Sequence, residues 1–138
     1  MMAGITTETA YMLSKIDFSA DPIYRGLYTI FVNNGEGSIA HFHLESEDKK
    51  TDICVCIYSS EYFDNNGHRR QLTSEQKYIL DNWLREPEPD EVFTLSRWSI
   101  LEMVWYCVNP QYNNSKFRPP VAQRIQPDYT KLKSFRSN

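Results

Sequence analysis

Ser38-Ile39-Ala40-His41-Phe42-His43-Leu44-Glu45-Ser46-Glu47-Asp48-Lys49-Lys50-Thr51-Asp52-Ile53-Cys54-Val55-Cys56-Ile57-Tyr58 is the stretch whose reading decides the fold. His41 to Glu45 and Asp52 to Tyr58 each alternate apolar with polar residues at a period of two, the pattern of half-buried strands. Ser46 to Thr51 is polar and reads as the turn between them. With Asp48-Lys49 at the tip, Glu45 pairs with Asp52, His43 with Cys54 and His41 with Cys56. One face of this hairpin then carries Phe42, Leu44, Ile53, Val55 and Ile57. The other carries two imidazoles, two thiols and two carboxylates. A slip of one residue would exchange the two faces, so the register matters to any chemistry read from them.

Working outward, Leu27-Tyr28-Thr29-Ile30-Phe31-Val32 is β-branched and aromatic and predicts a strand from about Tyr24 to Asn33. Asn34-Gly35-Glu36-Gly37 follows as a turn, because Asn and Gly tolerate positive φ. Three antiparallel strands in a meander result. Before them, Thr6-Thr7-Glu8 reads as a helix start, with Tyr11, Met12, Leu13 and Ile16 as a short apolar face and Asp21-Pro22 as the stop. After them, Asp64-Asn65-Asn66-Gly67 is a turn, and His68 to Leu72 predicts a short fourth strand.

Thr73-Ser74-Glu75-Gln76 is a capping box, Thr at the cap and Gln three residues on. It opens a helix to about Arg85, with Ile79, Leu80, Trp83 and Leu84 on one face. Pro87 ends that helix, and Glu86-Pro87-Glu88-Pro89-Asp90-Glu91 reads as a stiff acidic linker. A further helix, Ser96 to Val108, is apolar nearly all round and belongs in the core. Its single polar stripe is Ser99, Glu102 and Tyr106, which places Glu102 towards solvent. The expectation is an α+β fold, an antiparallel three- to four-stranded meander packed against two to three helices. Residues 1–110 form the domain, and residues 111–138 form a basic, Pro-containing extension that packs on it.

Charge is distributed unevenly. Residues 1–109 hold nine Lys/Arg against seventeen Asp/Glu, whereas residues 110–138 hold six against one. An acidic body with a +5 tail attracts itself first, which favours a docked tail. Cys54, Cys56 and Cys107 are odd in number, and a bridge between neighbours two apart on one strand is strained, so free thiols are expected. The N-terminus has neither the basic start nor the apolar run of a signal peptide, and no apolar run approaches membrane-span length. A soluble, cytoplasmic protein follows as the expectation.

His41-Phe42-His43, Leu72 ahead of the first capped helix, Trp83, Trp105 and Ile125-Gln126-Pro127 together resemble a small prokaryotic family of unknown function. That family carries a Pro-Pro-His-Phe-His signature and is often encoded near toxin–antitoxin genes. Ser38-Ile39-Ala40 stands where the signature has its prolines. The resemblance implies a bacterial or phage-type protein from a mobile or defence-related locus, and it transfers no catalytic residue.

Three functional readings follow. The first is a non-enzymatic interaction protein from such a locus, acting through protein contacts; a homo-oligomer is compatible with it. The second is a single-stranded nucleic-acid binder. Lys116, Arg118, Arg124, Lys131, Lys133 and Arg136 interleave with Tyr112, Phe117, Tyr129 and Phe135, which suits phosphate neutralisation with base stacking. Arg69 and Arg70, after His68, add an anion candidate. The third is a zinc-dependent or Cys/His enzyme using the His41, His43, Cys54 and Cys56 face, with Asp52 or Glu45 orienting an imidazole. Parallel strand side chains and the missing zinc-finger loop spacing set the expectation for bound metal at none.

Overall fold

A computed structural model describes residues 9–89 and 95–120. Within them the chain forms seven strands: β1 (Thr9–Met12), β2 (Ile16–Asp17), β3 (Leu27–Asn33), β4 (His41–Ser46), β5 (Asp52–Cys56), β6 (Glu61–Phe63) and β7 (Arg69–Gln71). Two helices follow, α1 (Ser74–Leu84) and α2 (Arg97–Val108), then a 3-10 turn at Pro110–Tyr112. The strands make one antiparallel sheet in the order β1-β3-β4-β5-β6-β7, with β2 also pairing with β3. The α+β class stands. The strand number is seven rather than three or four, and two helices pack on the sheet.

The added strands have separate causes. Glu61–Phe63 pairs with β5 on one side and β7 on the other, turning through Asp64 to Gly67, where Gly67 has φ +77°. The expected N-terminal helix is a correction. Thr6 to Glu8, its proposed start, lie outside the described residues, and Thr9–Met12 and Ile16–Asp17 are strands along β3. A helix of about ten residues is marginal alone, whereas the open edge of β3 offers unpaired backbone groups to any extended neighbour. Leu13, Ile16 and Phe18 are buried by this arrangement.

One sheet face carries the core. Tyr28, Ile30, Val32, Phe42, Leu44, Ile53, Val55, Ile57 and Tyr62 cluster with Leu80 and Leu84 of α1 and Trp98, Leu101 and Trp105 of α2. Strand alternation sends the intervening residues to the opposite face. The α1 capping box is formed in both directions: Gln76 N–H donates to Thr73 Oγ1 at 3.1 Å, and Thr73 N–H to Gln76 Oε1 at 3.0 Å. Ser96 caps α2.

Two sequence expectations change at α2. Glu102 is buried, not solvent-facing: it accepts a hydrogen bond from the Tyr58 hydroxyl at 2.7 Å. Tyr58, on the segment after β5, reaches across to α2, and the exposed outer positions are Met103 and Cys107. The Glu86-to-Pro89 part of the acidic linker is also more than a spacer. The Glu88 carboxylate accepts from Ser14 N–H at 2.8 Å, Ser14 hydroxyl at 2.7 Å and Arg97 Nε at 2.8 Å. Arg97 lies over the Trp83 ring at 4.1 Å. This buried ion pair ties the N-terminal edge to both helices. Asp90 and Glu91 lie outside the described residues.

Candidate functional site

The hairpin register is the one the alternation predicts: His41 pairs with Cys56, His43 with Cys54 and Glu45 with Asp52. Extending the row through the sheet, Phe31 pairs with His43, and Cys54 pairs with Phe63. Four strands thus present Phe31, His43, Cys54 and Phe63 side by side on the face away from the core, because directly opposed strand residues share a face. His41 and His43 are nonetheless buried. The His43 ring stacks on Phe31, and His41 meets Trp105 with centroids 4.7 Å apart.

The cover over this face comes from the turn between β3 and β4. Gly35 and Gly37 have φ +75° and +91°, a region side chains rarely adopt, and they bracket Glu36. Asn109, at the end of α2, holds the turn by accepting from Gly35 N–H at 3.2 Å. The Glu36 carboxylate is thereby brought onto the histidines: Oε1 lies 2.6 Å from His43 Nε2 and 3.3 Å from His41 Nε2. The remaining ring nitrogens are occupied as well. His41 Nδ1 donates to Ile39 carbonyl oxygen at 2.7 Å, and His43 Nδ1 lies 2.9 Å from Asp52 Oδ1. Cys54 Sγ is 3.7 and 3.9 Å from the two nitrogens of His43.

The electrostatics follow from these partners. Burial opposes charging of His43, but hydrogen bonds to Asp52, Cys54 and Glu36 outweigh it, and its pKa is pushed up to about 11. Each ring nitrogen of His43 thus lies against a carboxylate, Nδ1 at Asp52 and Nε2 at Glu36. Burial pushes the Cys56 thiol up, away from thiolate character. Of the four residues read from the sequence, His41, His43 and Cys54 place one ligand-type atom each within 4.8 Å of one another, and Cys56 falls outside that group. Glu45 pairs with Lys49 at the turn instead of reaching an imidazole. Glu36 is the member that residue patterning missed. A Gly-Glu-Gly turn a few residues before His-x-His is the signal that could have found it.

Two open recesses of about 320 Å³ each adjoin the site. One is bounded by Glu36, His41, Cys54 and Phe63, the other by Glu61, Arg69, Lys116 and Phe117, and both share Ser38 and Ile39. Of the basic candidates, Arg69 and Lys116 thus line one recess. Arg69 also pairs with Glu61 at 3.3 Å and lies over Phe63. Arg70 is engaged elsewhere, with Asp64 at 2.7 Å. Arg118 lies over the Tyr106 ring at 4.7 Å and 3.5 Å from Glu102. Arg124, Lys131, Lys133 and Arg136 lie outside the described residues. Among the described residues no helix is long and apolar enough to cross a membrane.

No family model, no curated protein and no solved structure matches this chain.

Proposed function

We propose that this protein is a non-enzymatic interaction module of a bacterial or phage locus, of the mobile-element or toxin–antitoxin kind, and that it binds a protein partner. The observation that carries the reading is the pair of recesses joined across Ser38 and Ile39. Their middle is apolar, with exposed Ile39 between Phe63 and Phe117, and their rim is charged, with Glu61, Arg69 and Lys116. An apolar centre within a polar rim is the anatomy of a protein interface.

The hydrogen bonding at His43 supports the non-enzymatic side. A general base needs an open lone pair, and both nitrogens of His43 already face carboxylates. Neither Cys54 nor Cys56 sits at a helix N-terminus, where a thiolate is usually stabilised.

The test is affinity capture from the native host, comparing the wild type with Ile39→Asp and Phe63→Ala. A partner retained by the wild type and lost by both variants, at unchanged thermal stability, supports the module. A second reading, single-stranded nucleic acid, draws on Arg69 and Lys116 in one recess with Phe117. Oligonucleotide binding that weakens steeply with salt and is lost in Lys116→Glu would replace the protein reading with that one.

A further inference from the structure

We propose that the His41–His43 face is a zinc site, with His41 Nε2, His43 Nε2, Cys54 Sγ and a Glu36 carboxylate oxygen as its four donors. Glu36, His41 and Cys54 also line the first recess, and the inference rests on the geometry of these donors rather than on the partner proposed above. It starts from convergence. Glu36 Oε1 touches both Nε2 atoms, at 2.6 and 3.3 Å, and Cys54 Sγ lies 3.9 Å from His43 Nε2. Zinc–nitrogen bonds near 2.0–2.1 Å and zinc–sulfur bonds near 2.3 Å put tetrahedral donors roughly 3.3–3.7 Å apart. His41, His43 and Cys54 each place one donor within 4.8 Å of the others, and with Glu36 as the fourth donor the side chains must shift to bring all four to bonding distance from one ion.

The outer contacts have the form that metal-ligating histidines need. Such a ring donates through its second nitrogen to a carbonyl or carboxylate, which fixes its tautomer and orientation. His41 Nδ1 does so to Ile39 carbonyl oxygen, and His43 Nδ1 meets Asp52. Phe31 and Trp105 wall the rings from the sides. Glu36 sits between two glycines at positive φ, in a turn held over the histidines by Asn109. Two imidazoles, a thiolate and a carboxylate are a borderline-soft donor set, suited to Zn²⁺ rather than to Mg²⁺ or Ca²⁺. The open recess beside Glu36 and Cys54 supplies the entry path.

The experiment uses the full chain, stripped with chelator and titrated with Co²⁺, then with Zn²⁺. The expected result is one equivalent of Co²⁺ with thiolate-to-cobalt charge-transfer absorption, displaced by Zn²⁺. Cys54→Ser should abolish that absorption, while Cys56→Ser and Cys107→Ser leave it intact. Asp52→Asn, which touches no metal, should weaken Zn²⁺ binding by roughly 10- to 100-fold by freeing the His43 ring. Asp52 is exposed and Cys54 half-buried, so these variants keep the fold, which far-UV circular dichroism checks. Absence of the charge-transfer band in folded wild-type protein at stoichiometric Co²⁺ overturns the proposal. So does a band that survives Cys54→Ser, or Zn²⁺ affinity indifferent to Asp52→Asn.

Discussion

The ring of His43 lies parallel to that of Phe31, centroids 4.8 Å apart and planes inclined by 7°, across the β3–β4 pairing. A ring stacked in parallel on an aromatic face gains attraction beyond its buried area. Phe31 is therefore part of the site, although it carries no chemistry. Phe31→Leu keeps the apolar volume and removes the ring, and should destabilise by ~0.5–1.5 kcal/mol, the usual worth of such a pair. Urea unfolding measures the loss. A stability change indistinguishable from zero, with the His43 ring resonances unmoved, would mean that the stacking is incidental.

Trp105 joins the core to the site, being fully buried in the main cluster and also in contact with His41. Trp105→Ala leaves a cavity that the sheet and helix cannot both close, at an expected cost of ~3–5 kcal/mol. A loss below ~1 kcal/mol would place α2 outside the structural core.

The β6–β7 hairpin should show an acid-side dependence set by Asp64. Arg70 donates to its carboxylate at 2.7 Å, and the backbone N–H groups of His68 and Asn66 donate at 2.9 and 3.0 Å. These partners, Arg70 first, hold the Asp64 pKa at about 2, below its ordinary value of 3.8. For a depressed carboxylate the folded state binds protons less readily than the unfolded state. The stabilisation is thus present above pH ~4 and disappears as pH falls through about 2. Asp64→Asn should remove this acid step, and Arg70→Gln should move the Asp64 titration upwards. Carboxyl-carbon NMR follows both, and an Asp64 titration unchanged by Arg70→Gln refutes the assignment.

Residues 110–118 fold back on α2. Tyr106 hydroxyl donates to Phe117 carbonyl oxygen at 3.4 Å, Arg118 lies over the Tyr106 ring, and Tyr112 packs edge-on against Phe117 at 5.0 Å. Truncation after Asn109 uncovers Tyr106 and removes the Arg118 contact from the buried Glu102 carboxylate. The truncated chain should melt at a lower temperature and associate at high concentration, because it exposes a new apolar patch. Arg118→Ala alone should cost ~0.5–2 kcal/mol, the range of a partly desolvated cation–π contact. A truncated chain melting at the full-length temperature would show that the segment only rests on the helix.

What could be read from the chain alone is whatever local pattern decides. Period-two alternation, with Asp48-Lys49 at the turn tip, set the His41–Glu45 and Asp52–Cys56 pairing, because a slip of one residue would part Phe42 and Leu44 from Ile53 and Val55. Thr73 and Gln76 marked the start of α1 by a hydrogen-bond exchange confined to four residues. Three other features lay beyond such patterns. Thr9 to Asp17 became strands because an unpaired edge of β3 was available, a condition no window of that segment contains. Glu102 was buried because Tyr58 and Arg118, 44 and 16 residues away, supply the partners that make burial of a carboxylate tolerable. Glu36 reached His41 and His43 because Asn109 tethers its turn from the far end of α2. The imidazoles and thiol were on the page in sequence; the carboxylate that draws them to one point was delivered by long-range packing, which residue spacing does not encode.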